Sequence, residues 1–359
     1  MTLQNKIKIS FGMIVLNGEP FIEYNLISLY PHAHEILIVE GAVERFAHAA
    51  TSDGHSVDNT VDIIRAFPDP DKKIKLIQYD GFWPEKDEMS NAYMDACTGD
   101  YIWQVDVDEF YKSEDIEKVR LLLTVEPGIT QVNIKTINFW RGFASILQGA
   151  TYIFGCDEFI RIFRYKPGYK YLTHRPPTLV DEKGQEYQHS RVVCAQELLD
   201  RCGVYIYHYS YVMPNYVRNK ANYYAKMNWG GGHEDGDNWY VKNWKEISNP
   251  LRVHIIKYPP SWIVPFEGSH PPVINKLLSD ISFVEHPEVT NYLRHDYIKY
   301  KLVGEVLSGQ IKRNCHGMYS RIKSVCIIIS QLLFPLRERD IRANYSIVYA
   351  AIKLLRRKS

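Results

Sequence analysis

The sequence predicts an α/β chain built on a mostly parallel sheet, and three observations lead there. Apolar runs of strand length alternate with helical spacings through the first 110 residues. The strands are apolar almost throughout rather than at every second position, as a strand covered on both faces requires. The composition is ordinary for a globular protein, with 359 residues, 45% hydrophobic and 24% charged. That excludes a disordered chain, a collagen-like repeat and a small disulfide scaffold.

The elements follow in order. Ile7 to Leu16 is a β-branched apolar run, and Glu19 to Tyr30 then sets Phe21, Ile22, Leu26 and Leu29 at helical spacing. Glu35 to Glu40 reads as a second buried strand, ended by Gly41. Thr60 to Phe67 is helical, with Asp58 or Asn59 to cap it and Pro68 and Pro70 to stop it. Lys73 to Tyr79 is a third strand, Lys86 to Cys97 a helix and Tyr101 to Val107 a fourth strand. Beyond residue 125 the pattern is strand-rich, with strands over Gln131–Ile137, Phe159–Phe163 and Val204–Tyr209 and a helix over Asn215–Asn228. A glycine-rich acidic loop, Gly230 to Asp237, and a proline-rich stretch, Tyr258 to Pro272, come after it. We expect three regions: residues 1–125, residues 126–257, and a connection with basic C-terminal helices over 258–359.

The net charge of +1 hides an asymmetry, because residues 301–359 hold 12 Lys/Arg against 3 Asp/Glu. An acidic body therefore carries a basic tail. Residues 321–336 lead from basic positions into an apolar stretch too short to span a bilayer, and seven further basic residues follow from Arg337 to Lys358. Two readings stand: a basic amphipathic segment in a membrane interface, or a pair of helices packed on the body. The N-terminus lacks a signal-peptide layout. Cys97, Cys156, Cys194, Cys202, Cys315 and Cys326 show no metal or disulfide spacing. A cytoplasmic chain with reduced thiols, peripheral on a membrane at most, is the expectation.

In parallel sheets ligands bind beyond the carboxyl ends of the strands. That rule selects Asn17, Glu40, Gly81 and the stretch from Asp106 to Glu109. Asp106 and Asp108 stand at the end of an apolar strand, where the chain can relax and turn both carboxylates toward one hard divalent cation such as Mg²⁺ or Mn²⁺. A solvated strand terminus is the plainer alternative. The acidic loop with His233, Glu234, Asp235 and Asp237 reads as solvated or as a lid rather than a metal site. Walker A, GxGxxG, GxSxG and HExxH patterns are absent, and the tail has no zinc-finger or RNP-like pattern, so nucleic acid is not an expected partner.

Several ordered elements together resemble the nucleotide-sugar half of a family 2 glycosyltransferase with the GT-A fold. They are Met13 to Asn17, Leu37 to Gly41, Thr51-Ser-Asp-Gly54 leading to Asp58 through Arg65, Lys86 to Asn91, and Gly99 through Asp106, Asp108 and Glu109. The chain departs in having Glu40 where the family usually has Asp, and in an insertion over Ala42 to Thr51. The resemblance implies a GT-A, Rossmann-like sheet with a C-terminal helical extension, similar to that of lipopolysaccharide-core and related sugar transferases. It implies a metal-dependent transfer from a UDP- or GDP-type sugar to a hydroxyl of a glycan or lipid-linked acceptor, with inversion. Leu16, Asn17, Glu40, Asp58, Lys86, Asn91, Asp106, Val107 and Asp108 would hold the donor. Asp106, Asp108 and His208 would hold Mn²⁺ or Mg²⁺, and Asp157 or Glu158 would be the general base. Arg161, Arg164, His174 and His270 would line the phosphate or acceptor cleft. A nucleotidyltransferase is the enzymatic alternative, disfavoured because Asn17-Gly-Glu-Pro20 replaces a Gly-rich basic loop. A non-catalytic carbohydrate-binding chain with the same fold is the other, disfavoured by the intact carboxylate pair.

Overall fold

A computed structural model describes residues 7–149, 158–186, 191–225, 235–246 and 261–283. Asp157, His233, Glu234 and the basic tail lie outside the described residues. Strands β1 (Ile9–Val15), β2 (Glu35–Glu40), β3 (Ile74–Gln78) and β4 (Tyr101–Gln104) pair in parallel, in the order β4-β1-β2-β3. Helices α1 (Phe21–Leu29), α2 (Thr60–Ala66) and α3 (Lys86–Ala96) connect them. The apolar runs are continuous because both faces are covered. Ile36 and Ile38 enter the larger core with Phe11, Met13 and Trp103, while their neighbours Leu37 and Val39 enter the opposite one with Met89, Tyr93 and Phe163.

The fourth strand is shorter than expected. It ends at Gln104, and the chain turns so that Glu109 N donates to Asp106 O at 3.0 Å. A two-residue strand, β5 (Glu109–Phe110), and an unforeseen helix, α4 (Ser113–Val125), follow. That helix buries Ile116, Val119, Leu122 and Leu123, one stripe at helical spacing.

The sheet continues through antiparallel strands. β8 (Glu158–Arg164) pairs with β4, and β6 (Gln131–Trp140) pairs with β8. β11 (Val192–Val193) and β12 (Tyr205–Tyr211) run parallel to β6, while β7 (Ser145–Gly149) and β13 (Ser261–Pro265) form an edge. The hairpin β9 (Lys170–Thr173) and β10 (Thr178–Val180) stands apart and packs on α3. Helices α5 (Ala195–Cys202), α6 (Pro214–Ala225), α7 (Gly236–Trp239) and α8 (Pro272–Asp280) complete the described chain. No helix among the described residues is long and apolar enough to cross a membrane.

Candidate active site

The turn after β4 carries the site. Asn25, buried on α1, clips it by donating through Nδ2 to Val107 O at 3.1 Å and Glu109 O at 2.9 Å. Asp108 O accepts Tyr209 N at 2.9 Å, which ties the turn to β12. The two carboxylates leave the turn with different partners. Asp108 Oδ2 accepts from Ser210 Oγ at 2.7 Å, Lys220 Nζ at 3.0 Å and Tyr216 Oη at 3.2 Å. His208 Nε2 stands 3.5 Å from Asp108 Oδ1 and bonds Ser210 Oγ at 2.7 Å, while its Nδ1 lies 2.8 Å from Asn138 Oδ1.

Asp106 Oδ2 accepts from the guanidinium groups of Arg175 and Arg161, the latter at 3.3 Å. A register shift between Val132 and Asn133 leaves Arg161 outside the regular pairing of β8 with β6. Its side chain turns inward, almost wholly buried, and grips both oxygens of Glu109, with Nε at 2.9 Å. Burial works to raise the pKa of both aspartates and is outweighed. Arg175 and Arg161 hold Asp106 well below the usual carboxylate range, and Lys220, His208 and Ser210 do the same for Asp108. Burial, opposed by Arg161 and reinforced by Asp106, raises Glu109.

Above the carboxylates lie two further groups. His174 is buried, with Nδ1 at 2.9 Å from Ser90 Oγ, and burial pushes its pKa down to about 3, so the imidazole is neutral at pH 7. Lys86, at the start of α3, faces the rings of Phe46, Tyr223 and Tyr224 at 5.3, 5.5 and 6.0 Å. Burial lowers its pKa, and among the described residues no carboxylate pairs with it. Phe46 and Tyr223 stack with centroids 3.7 Å apart, so α6 closes against the inserted segment.

Other sequence candidates do structural work. Glu40 is fully buried and accepts from Ser56 N at 2.7 Å, Ser56 Oγ at 2.8 Å and Gln78 Nε2 at 2.9 Å, with His55 Nδ1 at 2.8 Å. Asn17 donates to Ala49 O at 2.7 Å and accepts from Val57 N at 2.8 Å. Asp58 accepts from Glu19 N at 3.0 Å and Thr60 N at 3.1 Å, reaching α2 from one position before its cap residue, Asn59. Asn17 ties the insertion to the carboxyl end of β1 through Ala49, while Glu40 and Asp58 hold the segment that follows the insertion, at Ser56 and Thr60, and the half-buried Leu16 lies at the end of β1. Asn91 holds the backbone of Tyr171 from both sides, at 2.7 and 3.2 Å, and so positions the hairpin that carries His174 and Arg175.

The antiparallel register of β8 against β4 puts Glu158 at the carboxyl end of β4, the same end as the carboxylate pair. Its Oε2 accepts Ala195 N at 3.1 Å, at the start of α5. Arg164 lies at the opposite end of β4, bonded to Tyr101 Oη at 2.8 Å. His270 sits in an aromatic cluster with Phe139, Phe143 and Phe266, 2.8 Å from Tyr209 Oη, and burial pushes its pKa down to about 4. Neither reaches the carboxylate pair. Asp237, from the acidic loop, is taken up by Arg218 at 2.7 Å and Asn222 at 3.1 Å.

Residues 50–172 match the model of a family described as Glycosyl transferase family 2. That stretch includes α2, β3, α3 and the turn with Asp106 and Asp108 and ends in β9, within the mixed α/β sheet described above. Among solved structures, S. aureus TarS is similar at 12% identity and a TM-score of 0.35, over 63% of this chain and 67% of that one. Glucosyl-3-phosphoglycerate synthase from Mycobacterium tuberculosis, in complex with Mn²⁺, UDP and glucosyl-3-phosphoglycerate, is similar at 20% identity and a TM-score of 0.28. That likeness covers 38% of this chain and 45% of the other. No curated protein matches the sequence.

Proposed function

We propose that this chain is a GT-A glycosyltransferase of the family 2 type that moves a sugar from a UDP- or GDP-type donor to a hydroxyl of a glycan or lipid-linked acceptor, with a divalent ion and with inversion. One observation carries the reading: two carboxylates held ionised, Asp106 and Asp108, stand side by side on the turn after a central parallel strand and face a ring of cations.

The donor set suits Mn²⁺ or Mg²⁺. Each aspartate spends its Oδ2 on protein partners; among the described residues Oδ1 of Asp106 accepts no hydrogen bond, and that of Asp108 meets only His208 Nε2 at 3.5 Å. Among the described residues no three His, Cys, Asp or Glu side chains form a ready-made cluster. Such ions commonly take one or two carboxylates plus substrate phosphates, so the pair suffices. Asp106 and Asp108 would hold the ion, with His208 beside them, and the bound ion would offset charge growing on the leaving diphosphate.

The chain's own residues supply the rest. Arg161 and Glu109 fix the turn from beneath, so the aspartates keep one orientation throughout the reaction. Neutral His174 offers hydrogen bonds without adding charge. The aromatic wall of Phe46, Tyr223 and Tyr224 keeps water from one side. Asp157 or Glu158 takes the proton from the acceptor hydroxyl, Glu158 having one oxygen outside its bond to Ala195. Leu16, Asn17, Glu40 and Asp58, at the carboxyl ends of β1 and β2 and before α2, bound the nucleoside end of the cleft. The basic tail brings the enzyme to a lipid surface.

Thermal shift of the full chain against UDP, GDP, CDP and ADP, with and without Mn²⁺, tests the donor class. A stabilisation by UDP or GDP that grows with Mn²⁺ is the expected result. No response to any nucleoside diphosphate overturns the proposal.

A further inference from the structure

We propose that Arg175 and Lys220 are diphosphate ligands that share their charge with Asp106 and Asp108 and pass to the phosphates when a nucleoside diphosphate enters. The inference rests on the donor reading above and adds the residues that grip the leaving group.

The charges around the turn do not balance. Lys86, Arg161, Arg175 and Lys220 face Asp106, Asp108 and Glu109, four cations against three carboxylates. One of the four is committed. Arg161 has only 2% of its side chain exposed and holds both oxygens of Glu109, so it cannot leave without stranding a buried carboxylate. The others differ. Arg175 has 47% of its side chain exposed, and Asp106 Oδ2 is its one ion-pair partner among the described residues. Lys220 has 24% exposed and hangs from α6 on a flexible stem. Among the described residues no carboxylate forms an ion pair with Lys86, and Asp106 acts on it only at longer range.

Three cations that can reorient thus come from three separate elements, α3, the segment after β9 and α6, and converge on one turn. Surface ion pairs do not require that convergence; a compact polyanion does. The arginine fork suits two phosphate oxygens, and the lysines suit the remaining charge. A consequence follows for the ion. While Arg175 and Lys220 rest on the aspartates, a divalent cation meets carboxylates that are already neutralised. A diphosphate that draws both away uncovers those carboxylates, so ion and nucleotide bind better together than alone.

Calorimetric titration of the full chain and of Arg175→Gln and Lys220→Gln tests this, with UDP, GDP and inorganic pyrophosphate as probes in Mn²⁺, and with Mn²⁺ alone. Each variant should bind the diphosphates roughly tenfold more weakly and bind Mn²⁺ alone more tightly. A misfolded variant cannot give the second change. Arg175→Lys should recover part of the diphosphate affinity. Variants that bind the diphosphates as well as the unaltered chain does, or Mn²⁺ no more tightly, overturn the inference and leave the donor reading intact. An unaltered chain that binds none of the three diphosphates overturns both.

Discussion

Lys220 Nζ lies 3.0 Å from Asp108 Oδ2, a carboxylate that is almost fully buried and that also accepts from Ser210 and Tyr216. The lysine stands on α6 and the aspartate on the turn after β4, so this pair fastens the helix over the site. Removing one partner leaves the other charge poorly solvated. Asp108→Asn and Lys220→Met should each lower stability, by about 3 kcal/mol at most because Lys220 retains some solvent contact. The double variant should lose clearly less than the two single losses added, and urea titration of all four proteins measures that difference.

Arg161 and Glu109 form the more deeply buried pair. Arg161→Met should destabilise by about 3–5 kcal/mol, since Glu109 has no water to turn to. Arg161→Lys should recover only part of that, because a single ammonium cannot reproduce the two-pronged contact. Chemical denaturation midpoints at constant slope provide the check.

The core of the sheet was legible because its signal is local. β1, β2, β3 and β4 are short apolar runs between glycine and capping signals, and their expected limits differ from those seen by a few residues. The carboxylate pair was legible too, as Asp106 and Asp108 stand together at a strand end. Of their partners, His208 was legible from its position after a strand, and Arg175 and Lys220 were not. Arg175 is 69 residues from Asp106 and Lys220 is 112 residues from Asp108, and only the folded chain brings them together. Arg161 reads from the sequence as a partner for the diphosphate or for neighbouring acids; it pairs with the acids Glu109 and Asp106, and its burial depends on an irregularity in β8 that no residue spacing announces. Glu40 and Asn17 stand at the strand ends that position predicts, while Ser56 and Gln78 claim the hydrogen bonds of the first and Ala49, in the inserted segment, one from the second.

Gly54 shows how tightly the loop after the insertion is folded. Its φ is +88°, and a Cβ there would lie 2.2 Å from Gly81 O. Gly54→Ala should therefore cost about 3 kcal/mol, from the strained backbone and the clash together. Thermal unfolding should show it as a clear drop in midpoint, with no matching loss for Gly128→Ala, where a Cβ meets nothing within 4 Å.

His174 makes stability depend on pH. Its folded pKa, pushed down to about 3 by burial, lies below the ordinary histidine value of about 6.5. Between those values the unfolded chain binds a proton that the folded chain refuses, so stability falls as pH falls. Its slope approaches ~1.4 kcal/mol per pH unit for this one group. Asp106 faces it as a partial counter-charge, and Arg175, Lys86 and Arg161 oppose protonation. His174→Gln should flatten the dependence between pH 6 and pH 4 in urea titrations. An unchanged slope would exclude His174 as its source.

Donor cleavage in this site depends on the carboxylates of Asp106 and Asp108. The direct measurement is release of nucleoside diphosphate from UDP- and GDP-sugars in Mn²⁺, by the unaltered chain and by Asp106→Asn and Asp108→Asn variants shown to be folded by circular dichroism. The account predicts turnover of at least one donor by the unaltered chain and a fall of roughly 10²-fold or more in each variant. A folded Asp108→Asn variant that releases nucleoside diphosphate at the unaltered rate would contradict it.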